Sequence, residues 1–103
     1  MASGNLGSAA LAANADTLLY TVPASKVATL NINCTNRDAG NAKVRIAVGA
    51  GAGPANGDYI EYDATLLGNG VLERSGIVCG AGEKVWVRAD TPNVSARIHG
   101  FEE

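Results

Sequence analysis

From Ala28 to Thr35 apolar and polar residues alternate without a break, Ala28, Leu30, Ile32 and Cys34 against Thr29, Asn31, Asn33 and Thr35. Side chains two apart share one face of an extended strand, whereas a helix would scatter the same set around its circumference. The segment therefore has one dry face and one wet face. Three further stretches repeat it. Val44, Ile46 and Val48 alternate with Lys43, Arg45 and Ala47; Val85 and Val87 with Lys84, Trp86 and Arg88; and Val94, Ala96 and Ile98 with Ser95, Arg97 and His99. Helical spacing fits none of these segments as well, so the expected fold class is all-β.

Turn chemistry divides the remainder. The run Asn36-Arg37-Asp38-Ala39-Gly40-Asn41 carries residues that tolerate positive φ or hydrogen-bond their own backbone, and reads as a hairpin loop. The glycine-rich stretch Gly49–Gly57 is a longer connection, and Gly68-Asn69-Gly70, Gly80-Ala81-Gly82 and Asp90-Thr91-Pro92-Asn93 are further turns. About eight short strands result, at roughly 5–11, 16–22, 26–35, 42–49, 58–63, 70–79, 83–89 and 94–101. No helical segment separates them, which excludes a parallel α/β sheet and leaves a single-domain β-sandwich of antiparallel strands, jelly-roll or Ig-like, over residues 16–103. Residues 1–15 are an N-terminal arm or a first strand.

At 103 residues the chain is one domain, and with 47% apolar and 17% charged residues it can bury a core. Its formal net charge of −2 gives nucleic acid no basic footprint. No stretch approaches the roughly 18 apolar residues of a membrane span, and the charged start and apolar run of a secretory signal are missing. Neither nucleic acid nor membrane is an expected partner. One histidine and two cysteines cannot supply a multi-ligand zinc site, and Cys34 and Cys79 are expected to be reduced and structural.

Chemistry is thinly supplied. A phosphate-binding loop needs a lysine after its last glycine and then a helix; here Asp58 follows Gly57 and a strand comes next. His99, the sole histidine, lies on a polar strand face, and none of Ser75, Ser95 or Cys79 sits in a strained nucleophile elbow. Asp16, Asp38, Asp58, Asp63 and Asp90 form no calcium-loop pattern. Glu61, Asp63 and Glu73 could be paired carboxylates of a glycosidase, but the ordinary reading is solvated strand-face charge, with Glu73 beside Arg74. No catalytic, cofactor-binding or metal-binding residue is expected, and no enzyme.

Surfaces are the better-supplied resource. A sandwich this small leaves edge strands with unpaired backbone groups, and association is one way to cover them. The uncharged segment 2–14 is suited to cross to a neighbour or dock on another protein; the alternative is a frayed terminus followed by a first strand. Trp86 shares a strand face with Lys84 and Arg88. It either stands exposed among cations as an interface residue, or belongs to a second buried layer on that face, or stacks under the Arg88 guanidinium. Tyr59 and Glu61 are expected on one face of the fifth strand, Ile60 and Tyr62 on the other. Leu6, Leu11, Tyr59, Trp86 and Arg88 are the expected partner-contact residues.

Taken in order, Leu19-Tyr20-Thr21-Val22-Pro23-Ala24, the alternating strand Ala28–Asn36, Asp58-Tyr59-Ile60-Glu61-Tyr62-Asp63, Val71-Leu72-Glu73-Arg74-Ser75-Gly76-Ile77-Val78 and Gly82-Glu83-Lys84-Val85-Trp86-Val87-Arg88-Ala89 resemble a family of small structural proteins of tailed bacteriophages. The resemblance covers roughly residues 17–103 and ends in Gly100-Phe101-Glu102. It implies a β-sandwich virion protein with no catalytic residues to carry over. The expected role is a capsid decoration (cement) protein on the outer capsid surface, assembled in the host cytoplasm. It would bind the major capsid protein, with a homotrimer favoured. The alternative is a neck, tail, baseplate or fibre module, including one that binds host-surface glycan. Removal of residues 2–14 is then expected to leave the fold intact and weaken particle binding.

Overall fold

Every second residue of β3 (Ala28–Asn36) is buried, from Ala28 through Asn36, as a strand with one dry face requires. The computed structural model describes residues 3–103. Its other strands are β1 (Ser3–Ala10), β2 (Thr17–Thr21), β4 (Ala42–Gly49), β5 (Tyr59–Leu66), β6 (Val71–Cys79), β7 (Lys84–Ala89) and β8 (Val94–Glu102), with one 3₁₀ turn at Asn56–Asp58. All eight fall close to the stretches that alternation and turn chemistry mark out.

The strands form two four-stranded sheets, in the orders β1-β8-β3-β6 and β2-β7-β4-β5. Every ladder between them is antiparallel. First pairs with last, second with seventh, third with sixth and fourth with fifth. The chain is thus one long hairpin wound around a barrel-like core, which is the jelly roll. An Ig-like sandwich would pair several consecutive strands; here only β4 and β5 are both consecutive and paired.

The inner faces supply the core: Leu30, Ile32, Ile98 and Cys34 from one sheet against Val44, Ile46, Val85 and Val87 from the other, all at most 1% exposed. Among the described residues Asn36 is the one buried side-chain amide, at the edge of this core. Its Nδ2 donates to the carbonyls of Gly40 (2.8 Å) and Leu66 (3.2 Å), and its Oδ1 accepts from the Asp38 amide (3.1 Å). The β3–β4 turn is thereby tied to the end of β5, and no polar atom of the buried side chain goes unpaired.

Both open sides of the sandwich are closed. On one, β1 approaches β2 so tightly that any Cβ at residue 7 would overlap the Leu19 carbonyl, so only glycine fits. Both strands are bulged there, between Asn5 and Gly7 and between Leu18 and Tyr20. On the other, Arg74 at the edge of β6 forms an ion pair with Glu61 of β5 across the gap. An inward-pointing charge of this kind also blunts an edge strand against unwanted pairing.

Residues 3–10 are a strand of the sandwich, not an arm lying off it. β1 runs in register with β8 from Ser3 opposite Phe101 to Ala10 opposite Ser95. The chain then crosses to the second sheet: the Leu11 amide donates to Val94 (2.9 Å), and the Asn14 amide to Ala89 (2.7 Å). Leu11, expected on a contact surface, is 2% exposed and belongs to the core. Leu6 is partly buried against the same core. Gly7 in β1 therefore reflects close approach between sheets rather than detachment. Residue 2 of the segment 2–14 lies outside the described residues.

Candidate functional site

The outer face of the β2-β7-β4-β5 sheet gathers three of the expected contact residues. Leu18, Trp86, Ala47 and Tyr59 lie opposite one another across four strands, and Arg88 follows Trp86 on the same face of β7. Trp86 is not the exposed anchor that its cationic neighbours suggest: it is 5% exposed. With Leu18 and Ala47 on either side and the Lys84 and Arg88 stems above and below, the indole forms a small second buried layer outside the main core. Lys84 closes one end by donating to the carbonyls of Ala50 (3.4 Å) and Gly51 (3.2 Å), which holds the glycine-rich connection against the sheet.

The fifth strand departs from simple alternation. Register shifts between Val44 and Ile46 and between Ile46 and Ala47 pair Glu61 with inward-facing Ile46 but Tyr59 with outward-facing Ala47. Tyr59 and Glu61, expected on one face, therefore lie on opposite faces. The bulge, with Asp63 at φ 52°, brings Tyr59 and Tyr62 together instead, in an edge-to-face pair with ring centroids 4.9 Å apart. Glu61 is likewise not a solvated strand-face charge. It is turned inward, its side chain is 13% exposed, and it meets Arg74.

Arg45 sits beside these rings. Its guanidinium carbon lies 4.1 Å from the Tyr62 ring centroid, and its Nε donates to Asp63 Oδ1 at 2.7 Å. The hydrogen bond from Arg45 holds the Asp63 carboxyl below the usual carboxylate range and raises the guanidinium in turn. Next to this pair opens a cleft of about 220 Å³, lined by Asn14, Lys43, Arg45, Asp63, Arg88 and Asp90. Arg45 and Arg88 are directly opposite in the β4–β7 ladder, an arrangement of like charges that costs stability unless something offsets it. Asp63 offsets Arg45, while Arg88 has only Asp16 at 3.9 Å. Among the described residues Lys43 has no carboxylate partner within 4.0 Å.

The outer face of the other sheet is polar at its centre and apolar at one end. Thr29 is flanked by Val78 on β6 and Phe101 on β8, and Val27 lies two residues before it on the same face. These three side chains are 66%, 39% and 49% exposed. Val27 is fixed there by reciprocal backbone bonds with Glu103, 3.1 and 2.7 Å. His99 and Arg97 occupy the same outer face, opposite Asn31 and Asn33.

Both cysteines are buried and unpaired. Burial pushes the Cys34 thiol up to about 12 and Cys79 up to about 11. Among the described residues no group of three or more His, Cys, Asp or Glu is placed to hold a metal ion. Of the expected contact residues, then, Tyr59, Trp86 and Arg88 share one face, whereas Leu6 and Leu11 pack inward elsewhere. The cleft residues Asn14, Lys43 and Asp90 and the apolar end at Val27, Val78 and Phe101 escaped the sequence reading. The outward position of Lys43 and Arg45 and the contact role expected of Arg88 were its signals for the cleft. Comparison with protein-family models, with curated proteins and with solved structures finds no match to this chain.

Proposed function

We propose that this protein is a non-enzymatic structural component of a tailed-bacteriophage virion, in which it decorates the outer capsid surface and cements neighbouring capsomers. The observation that carries the reading is the exposed apolar end formed by Val27, Val78 and Phe101. Exposed apolar groups gathered around Thr29 at one end of a sheet support a surface that another protein covers. Burying them against a capsid protein yields about 25 cal/mol per Å², less the cost of association, which suits a clamp repeated many times on a shell. The jelly roll supports the reading as well, since the architecture is widely used in capsid proteins. So does the ordered set of strand and turn words that resembles phage structural proteins. The major capsid protein is the proposed partner, and a trimer at three-fold positions the proposed form.

Copy number tests the proposal. Quantitative mass spectrometry or electron microscopy of purified particles should find on the order of hundreds of copies on the shell. A dozen or fewer copies per particle would instead place the chain at the neck, baseplate or fibre.

A further inference from the structure

The cleft on the β2-β7-β4-β5 sheet is not used by a shell contact made through Val27, Val78 and Phe101, which lie on the opposite sheet. Its lining combines two kinds of group. Among the described residues Lys43 has no carboxylate within 4.0 Å, and Arg88 is paired only loosely, with Asp16 at 3.9 Å. Asp63 and Asp90 lie beside them. Each Asp63 oxygen accepts one bond from Arg45, and Asp90 Oδ1 accepts from the Lys43 backbone amide. This leaves the second lone pairs of these oxygens and Asp90 Oδ2 as acceptors. A purely anionic ligand would meet the cations but be repelled by the carboxylates. A neutral polyol would satisfy the carboxylates but leave Lys43 and the loosely paired Arg88 without a further counter-charge. A ring carrying one negative charge beside several hydroxyls satisfies both sets at once.

Backbone strain converges on the same place. Among the described residues four non-glycine residues adopt positive φ, and two of them, Asn14 (57°) and Asp63 (52°), line this cleft. Such conformations cost free energy and persist where the surroundings hold them. The Asn14 backbone is held by its bond to Ala89, and its side-chain amide has no hydrogen-bond partner among the described residues. It can both donate to and accept from a hydroxyl. Tyr62, 58% exposed, is not part of the lining but packs on Arg45, which is.

We propose that this cleft is a binding site for an acidic sugar, a saccharide ring bearing a carboxylate, with Lys43 and Arg88 taking the carboxylate and Asn14, Asp63 and Asp90 taking hydroxyls. The cleft has room for a single ring, so affinity for a monosaccharide is weak and comes from repetition when many copies are displayed.

The full chain, labelled with ¹⁵N, is titrated with glucuronate, galacturonate and N-acetylneuraminate to about 20 mM, with glucose and acetate as the matched neutral ring and the bare anion. At least one acidic sugar should shift the amides of Asn14, Lys43, Asp63 and Asp90, binding about tenfold tighter than either control. Lys43→Ala, at an exposed position, should weaken it about tenfold. Asn14→Gly removes the amide while keeping the backbone conformation, and should weaken it severalfold, with the rest of the spectrum unchanged in both variants. Equal binding of glucose, equal binding of acetate, or no shift at these amides with any of the three acids overturns the proposal. None of these outcomes bears on copy number in the particle, so the site and the shell role stand or fall separately.

Discussion

The Tyr20 hydroxyl donates a 2.5 Å hydrogen bond to Glu102 Oε2, joining β2 of one sheet to β8 of the other across 82 positions of sequence. Both residues are buried, at 9% and 8% exposure. With the Val27–Glu103 backbone bonds, it fastens the final strand over the end of the core. Tyr20→Phe strands the Glu102 carboxylate without its donor and should cost about 1–3 kcal/mol in urea unfolding. Glu102→Gln keeps an acceptor for the hydroxyl and should cost less than the tyrosine change.

The buried thiols make stability fall in alkali. Cys34 and Cys79 have folded values of about 12 and about 11, above the ordinary 9.0, and Tyr20 is also raised, by burial and by Glu102. As pH rises the unfolded chain loses these protons first, so the stabilisation is complete below about pH 9 and declines from there toward pH 11–12. Each group contributes a slope of at most about 1.4 kcal/mol per pH unit. Unfolding midpoints from pH 7 to 11 should be level at first and then drop, and Cys34→Ala should make the drop shallower. Thiol reagents at pH 8 should modify the native protein only as fast as it opens.

The ladder positions of β3 and the dry faces of β4, β7 and β8 were legible because alternation is a property of one strand. What was not legible depends on two strands at once. The shifts opposite Ile46 and Ala47 reverse the faces of Tyr59 and Glu61, and no pattern within residues 58–63 announces them. Trp86 shows the same limit: its neighbours Lys84 and Arg88 say that it faces outward, but only Leu18 and Ala47, brought alongside by β2 and β4, decide that it is covered. Leu11 lies past the last residue of β1, where the chain changes sheet, and a crossing has no period to read. The cleft draws Asn14, Lys43, Asp63, Arg88 and Asp90 from separate connections and strands, so it exists only in the folded chain.

Arg74 and Glu61 provide a test of how the β5–β6 side is closed. Arg74→Ala should destabilise more than Glu61→Gln, because it leaves a mostly buried carboxylate facing the core. A double-mutant cycle with alanine at both positions should give a coupling of about 1 kcal/mol that shrinks as salt is raised.

Removal of residues 2–14 should now have an effect opposite to that of trimming an arm. It takes away β1, the Leu11 side chain and the crossing bonds to Val94 and Ala89. Losing Leu11 alone is worth about 2–5 kcal/mol. The shortened chain should melt far lower or fail to fold by circular dichroism, while Leu11→Ala in the full chain should retain the fold at reduced stability.

Charging the apolar end separates surface from scaffold. Val78→Asp with Phe101→Asp places two carboxylates at exposed positions, which should change unfolding free energy by about 1 kcal/mol or less. Occupancy on purified particles should fall by about tenfold or more. Unchanged occupancy would remove this surface from consideration as the contact.

Because β1 lies against β8 and β2 against β7, neither outer pair can form until the closing strands have been synthesised. Among the described strands the inner β4–β5 pair is the one hairpin of consecutive strands, and nucleation is expected there, with assembly spreading outward to the ends. Such non-local wiring makes for a slow folder, on the order of milliseconds to seconds. A nascent chain must wait, its apolar strands unprotected, until translation reaches the last of them.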